Sequence, residues 1–106
     1  MAFSEEVIQA VWEKGRAGPE LDPTQWRQDQ CGAWMCREHY NNFNSEFGWK
    51  ILEVVPGGGE ALAGLQPFHW QNTFDLEHRR PLCRVTADRS DVAAGQRVSQ
   101  PRNINL

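Results

Sequence analysis

The run from Gly48 to Val55, GWKILEVV, stops at Pro56 and three consecutive glycines, 57–59, and this punctuation constrains the chain more than any other feature. Trp, Ile and Val suit a pleated, half-buried surface, so the run is expected to be a strand. Proline removes a ladder donor and the glycines give the backbone wide freedom, so a flexible connector opens where the strand ends. The triplet does not read as a phosphate cradle, because no P-loop lysine and Ser/Thr follow it. Upstream, Cys31 to Cys36 reads as a second strand, and the polar turn from Asn41 to Phe47 lets the two pair as a hairpin. Downstream, a helix is expected from about Trp70 to His78, with Pro81 ending it.

Ser4 is placed to cap an N-terminal helix running to Glu13 or Lys14. Glu5 and Glu6 lie in its first turn, Val7, Ile8, Val11 and Trp12 form one apolar face, and Gly15 is a stop. Residues 16–23, RAGPELDP, are turn-rich, and Asp22-Pro23 favours a turn or short helix before Trp26. Beyond about Arg84 the chain turns to Ser, Asp, Gln, Gly and Arg, which reads as an extended or disordered tail with scattered anchors at Val85, Val92, Val98, Ile104 and Leu106. Three parts result: an N-terminal helix and connector (1–20), a domain (21–83) and an irregular tail (84–106). A domain this small buries only about two-thirds of its unfolded surface. Five Trp and five Phe offset that by filling a core from few residues. Trp12, Trp26, Trp34, Trp49 and Trp70 are therefore core candidates before they are a nucleobase-stacking surface.

The segment GWKILEVVPGGGEALAGLQPFHWQNT, residues 48–73, resembles the core motif of the HNH endonuclease family. The family wording runs close to GWEIDHI, then P, GG, NLQP and a C/H-W-x-N-N ending. Gly48, Trp49, Ile51, Val54, Pro56, Gly58, Gly59, Leu62, Leu65, Gln66, Pro67, Trp70 and Asn72 fit it. Asp22, Pro23, Trp26, Arg27, Asp29, Cys31, Gly32, Ala33, Arg37, Tyr40, Asn42, Asn44 and Ser45 resemble the lead-in of many bacterial HNH proteins, so the likeness covers about residues 11–76. It implies an α+β fold: a small HNH-like ββα-metal core, β-hairpin plus helix, carrying the N-terminal helix and the tail.

The same resemblance implies that the reacting groups have been replaced. The catalytic His falls at Glu53 and the metal-binding Asp before it at Leu52. The loop-pinning Asn falls at Gly64 and the last Asn or His, a metal ligand, at Thr73. Cutting a phosphodiester needs a base to deprotonate water and a hard cation to neutralise the leaving oxygen. Leu52 has no lone pair for Mg²⁺ and Thr73 offers only a neutral oxygen. Glu53 is either a solvated strand residue or a base and metal ligand, although a carboxylate is a weaker base than imidazole. His69 stands where relatives carry Cys or His, sometimes in a zinc knuckle whose partner Cys is Asn72 here; a lone His beside Trp70 is more often packed and hydrogen-bonded.

Charge bears on the partner. Residues 1–83 hold seven Lys or Arg against twelve Asp or Glu, net −5, and residues 84–106 hold four Arg against two Asp, net +2. An isolated nuclease normally shows a basic face, so an acidic body disfavours nucleic acid, with Arg37, Arg79 and Arg80 as the residues that would carry DNA contact. The Arg79-Arg80 pair also has a bland role at a helix end. Cys31, Cys36 and Cys83 are odd in number, and no signal peptide or membrane-length apolar run is seen, so buried free thiols in the cytoplasm are expected. Zinc on Cys31, Cys36, His39 and Cys83 is the alternative.

The leading expectation is a catalytically defective HNH-like protein acting as a binding scaffold for a protein partner, with no cofactor and no membrane association. A rearranged, metal-dependent endonuclease would use Glu53 and His69, helped by Glu60 or Asp75, with Mg, Mn, Ni or Zn. A non-cleaving nucleic-acid-binding module is the third reading.

Overall fold

The computed structural model describes residues 3–18, 21–57, 61–87 and 101–106. Among the described residues one α-helix, α1 (Glu5–Trp12), precedes eight short strands: β1 (Trp26–Gln28), β2 (Trp34–Cys36), β3 (Trp49–Glu53), β4 (Leu65–His69), β5 (Thr73–Asp75), β6 (Arg80–Leu82), β7 (Val85–Ala87) and β8 (Asn103–Asn105). Among the described residues the strands pair as four antiparallel two-stranded ladders, β1-β2, β3-β4, β5-β6 and β7-β8. The α+β class stands.

Helix α1 forms as its sequence dictates. Ser4 Oγ accepts the Val7 N–H at 3.2 Å, with Glu5 and Glu6 in the positive first turn. At the far end Lys14 and Gly15 donate to the carbonyls of Val11 and Trp12, three residues back, which tightens and closes the helix. Its inner face joins the core directly: Ile8, Val11 and Trp12 pack with Met35, Trp49 and Leu65. The helix and the domain expected at 21–83 thus share one apolar cluster. Trp12 meets Trp49 at 5.0 Å between ring centroids, and its buried indole N–H donates to the Pro23 carbonyl at 3.0 Å. Trp34 is buried as well, whereas Trp26 and Trp70 are only half-buried.

Three sequence expectations need correction. The strand after Gly48 does not pair with the Cys31–Cys36 segment. β3 pairs with β4, Trp49 opposite His69 and Glu53 opposite Leu65, across the proline and glycine connector. β2 pairs instead with β1, because Asp29 closes a tight turn between them. Its Oδ1 accepts the N–H groups of Cys31 and Ala33, and Gly32 takes φ +83 there. Of the connector, Gly57 is described, at φ +74, while Gly58 and Gly59 lie outside the described residues.

The second correction removes the helix of a ββα core. Residues 73–82 form the β5-β6 hairpin, with Thr73 opposite Leu82. Asp75 Oδ1 accepts the N–H groups of Glu77 and His78, and Arg79 takes φ +52, so the chain turns back where the helix was expected to continue. The third concerns the irregular tail. β7 and β8 are regular, and Asn103 docks on β2: Trp34 N–H donates to its Oδ1 at 2.8 Å, and its Nδ2 donates to Trp34 O at 3.0 Å. Val85 is a buried anchor, but Ile104 and Leu106 are exposed; Val92 and Val98 lie outside the described residues.

Candidate functional site

The four positions at which the resemblance expects chemistry are built into separate pieces of backbone. Leu52 and Glu53 lie at the end of β3, and Thr73 opens β5. Gly64 closes a short 3-10 turn, Leu62–Gly64, whose last carbonyl accepts the Val54 N–H at 2.8 Å. Glu53 is half-buried, and among the described residues no hydrogen bond or ion pair engages its carboxylate. His69 shares the β3-β4 ladder with Glu53 and points to the same face, but at its other end. Four residues of strand separate them, about 13 Å. A single metal ion cannot bridge that span, so the pairing of Glu53 with His69 in one site does not hold.

His69 is fully occupied where it sits. Its ring is buried, and Nδ1 accepts the Gln71 N–H at 3.1 Å. That contact assigns the proton to Nε2, which donates to the Glu46 carbonyl at 2.6 Å. Burial pushes its pKa below the ordinary value, against the smaller upward pull of Glu46 and Asp29. The imidazole is therefore a neutral structural group with both nitrogens engaged.

Sequence reasoning treated Asp29 and Asn72 only as matching letters, yet they form the polar centre of the molecule. Asp29 Oδ1 holds the β1-β2 turn, and Oδ2 accepts the His69 N–H at 3.0 Å and Asn72 Nδ2 at 2.9 Å. Asn72 Nδ2 also donates to Val85 O, and its Oδ1 accepts the N–H groups of Arg84 and Val85. Both side chains are buried with every polar atom bonded. An Asp before a Cys-Gly pair signals a side-chain-closed turn; nothing in the spacing signals its bond to Asn72.

Two of the remaining candidates, Asp75 and Arg37, are committed elsewhere. Asp75 Oδ2 contacts His78 Nδ1 at 2.8 Å, and the His78 bonds hold its carboxyl below the usual range. Glu60 lies outside the described residues. Arg37 bonds Glu5 at 2.5 Å and Gln9 at 2.9 Å, with its guanidinium 5.9 Å from the Trp49 ring centroid, so it is fixed on α1. Arg79 and Arg80 are exposed at the β5-β6 turn. Ser45 Oγ lies 2.5 Å from His39 Nδ1, but it also accepts the Phe47 N–H, so this contact fastens a loop. Among the described residues, clefts of about 210, 490 and 290 Å³ indent the surface, and neither Glu53 nor His69 lines these.

Cys31 and Cys83 form a disulfide across 52 residues, and Cys36 is a buried free thiol whose pKa burial raises. This corrects the expectation of free thiols throughout. Two of the proposed zinc ligands are bonded to each other, and among the described residues no group of His, Cys, Asp and Glu is placed to hold a metal. Disulfides persist in oxidising surroundings, so the cysteines no longer argue for a cytoplasmic setting. Among the described residues no helix is long and apolar enough to cross a membrane. No protein-family model, no curated protein and no solved structure matches this chain.

Proposed function

We propose that this chain is a catalytically defective, HNH-like protein that works as a binding scaffold. The observation that carries the reading is the separation of Glu53 from His69 by the length of the β3-β4 ladder, with both nitrogens of His69 spent inside the fold. A hydrolytic site needs a base within reach of a water and a cation within reach of the leaving oxygen. Here the polar residues of the motif, Asp29, His69 and Asn72, bond to one another and to backbone. The β5-β6 hairpin in place of the helix of a ββα core fits a fold that has departed from its nuclease likeness in architecture as well as in reacting groups. An acidic body favours a protein partner over a polyanion.

The test is nicking of supercoiled plasmid with Mg²⁺, Mn²⁺, Ni²⁺ and Zn²⁺ supplied separately, run beside Glu53→Ala, which removes no hydrogen bond. The expected result is no nicking above that variant with any metal. Metal-dependent nicking abolished by Glu53→Ala would establish the rearranged endonuclease instead.

A further inference from the structure

Hydrogen bonds brace the loop between β2 and β3 around one partly exposed aromatic ring. Asn42 N–H donates to His39 O, Asn44 N–H to Asn42 Oδ1 and Gly48 N–H to Ser45 O. Trp70 Nε1 reaches across from the end of β4 to the Ser45 carbonyl at 2.8 Å. Backbone on both sides of Phe43 is thereby tied into the loop. The Phe43 ring is 51% exposed and stacked on Trp70 at 5.8 Å with 23° between ring planes. The His69 ring is also near-parallel to Trp70, at 6.0 Å and 22°. Phe43 thus keeps half of its surface in solvent while it stacks on Trp70.

We propose that the Phe43-Trp70 stack is a platform for the ring of a neutral saccharide. An aromatic face is electron-rich and attracts the weakly positive C–H face of a sugar ring. Sugar hydroxyls need partners that both donate and accept, as side-chain amides do. Among the described residues no hydrogen bond engages the amides of Asn41, Asn44 or Gln71, which flank the two rings in sequence. Charge selects against the other ligand that stacks on aromatic rings. Single-stranded nucleic acid needs cations along its backbone. Segments 39–48 and 69–74 contain no Lys or Arg, Glu46 lies in the first, and burial keeps the His69 ring neutral. Lys50, which acts on His69, is half-buried on β3. A protein-protein anchor would carry a surround that excludes water; here the chain neighbours of the two rings, Asn42, Asn44 and Gln71, are amides. The inference is independent of the nuclease-like reading, since none of the four degenerate positions, Leu52, Glu53, Gly64 and Thr73, takes part in it.

The experiment is a ¹H–¹⁵N chemical-shift titration of the full chain with soluble hexamers of glucose in β-1,4 and α-1,4 linkage and of N-acetylglucosamine, and separately with oligo(dT). At least one hexamer is expected to shift Asn41 to Ser45 and the Trp70 indole. Phe43→Ala should weaken that binding about tenfold or more, and Phe43→Leu, which keeps apolar area without a π face, nearly as much. Phe43 is exposed, so both variants fold. Silence with every hexamer, binding that survives Phe43→Ala, or shifts that arise with oligo(dT) alone would each overturn the proposal.

Discussion

Asp29 and Asn72, 43 residues apart, meet in the interior through one hydrogen bond of 2.9 Å, and each spends its remaining capacity on backbone. Through this pair the β1-β2 turn, the end of β4 and the start of β7 are tied to one point. A buried polar network of this kind specifies geometry when every member is satisfied and is costly when one is removed. Both residues work in the fold, where each polar atom of their side chains is bonded.

Removing either partner should be severe. Asn72→Ala strands the N–H groups of Arg84 and Val85 and takes a donor from Asp29; Asp29→Ala strands four donors. Each is expected to cost about 3–5 kcal/mol in urea unfolding. The double variant should cost less than their sum by about 1–3 kcal/mol, because the two share one network.

The disulfide crosses the same junction. Closing a loop with a sequence separation of 52 stabilises by about 4 kcal/mol on the chain-entropy model. Paired Cys31→Ser and Cys83→Ser substitution should lower the urea midpoint accordingly. The hydrogen bonds from Ala87 to Gly32 and from Thr86 to Cys31 remain available, so near-ultraviolet circular dichroism should keep its native form in the absence of denaturant.

Gly48 is held by space and not by backbone angle. A Cβ there would stand 1.8 Å from the Asn42 carbonyl oxygen and 2.9 Å from Trp70 Cδ1. Backbone cannot yield as a flexible side chain does, so Gly48→Ala is expected to cost about 3 kcal/mol or more and to separate Phe43 from Trp70. Thermal melting and Trp fluorescence read the two effects.

The burial of His69 sets a direction for pH. Its folded pKa lies below the ordinary 6.5, so below that pH the unfolded chain binds a proton that the folded chain refuses. Stability from this group is complete above the unfolded value and is lost as pH falls from about 6.5 toward the folded pKa, with a slope of at most about 1.4 kcal/mol per unit. Asp75, whose pKa is depressed, acts in a lower window: its contribution is present above the ordinary 3.8 and disappears in more acid solution. Urea midpoints between pH 4.5 and 8 should therefore rise with pH up to about 7 and then level off in their His69 component.

Local signals were legible and long-range ones were not. The cap at Ser4, the apolar face of α1 and the strand after Gly48 follow from neighbours in sequence, and the structure has them at Glu5–Trp12 and Trp49–Glu53. The helix expected after Trp70 failed because two side chains redirected the backbone: Asn72 binds Arg84 and Val85, and Asp75 closes a turn at Glu77 and His78. The strand partners differ from expectation because the turn held by Asp29 takes up residues 31–33 of what reads as one strand. The disulfide joins cysteines whose spacing carries no pairing information. At the candidate site the sequence marked Glu53 and His69 as chemically able, but only the β3-β4 register shows that they stand at opposite ends of a ladder.

The central claim is that the histidine of the motif belongs to the fold and not to a site. Side-chain ¹H–¹⁵N spectra of His69, recorded from pH 5 to 8 with and without Mn²⁺ or Zn²⁺, test it most directly. The expected result is the neutral Nε2–H tautomer, unprotonated at pH 6.5 and indifferent to both metals. Titration at or above pH 6.5, or a shift or broadening on adding metal, would contradict it.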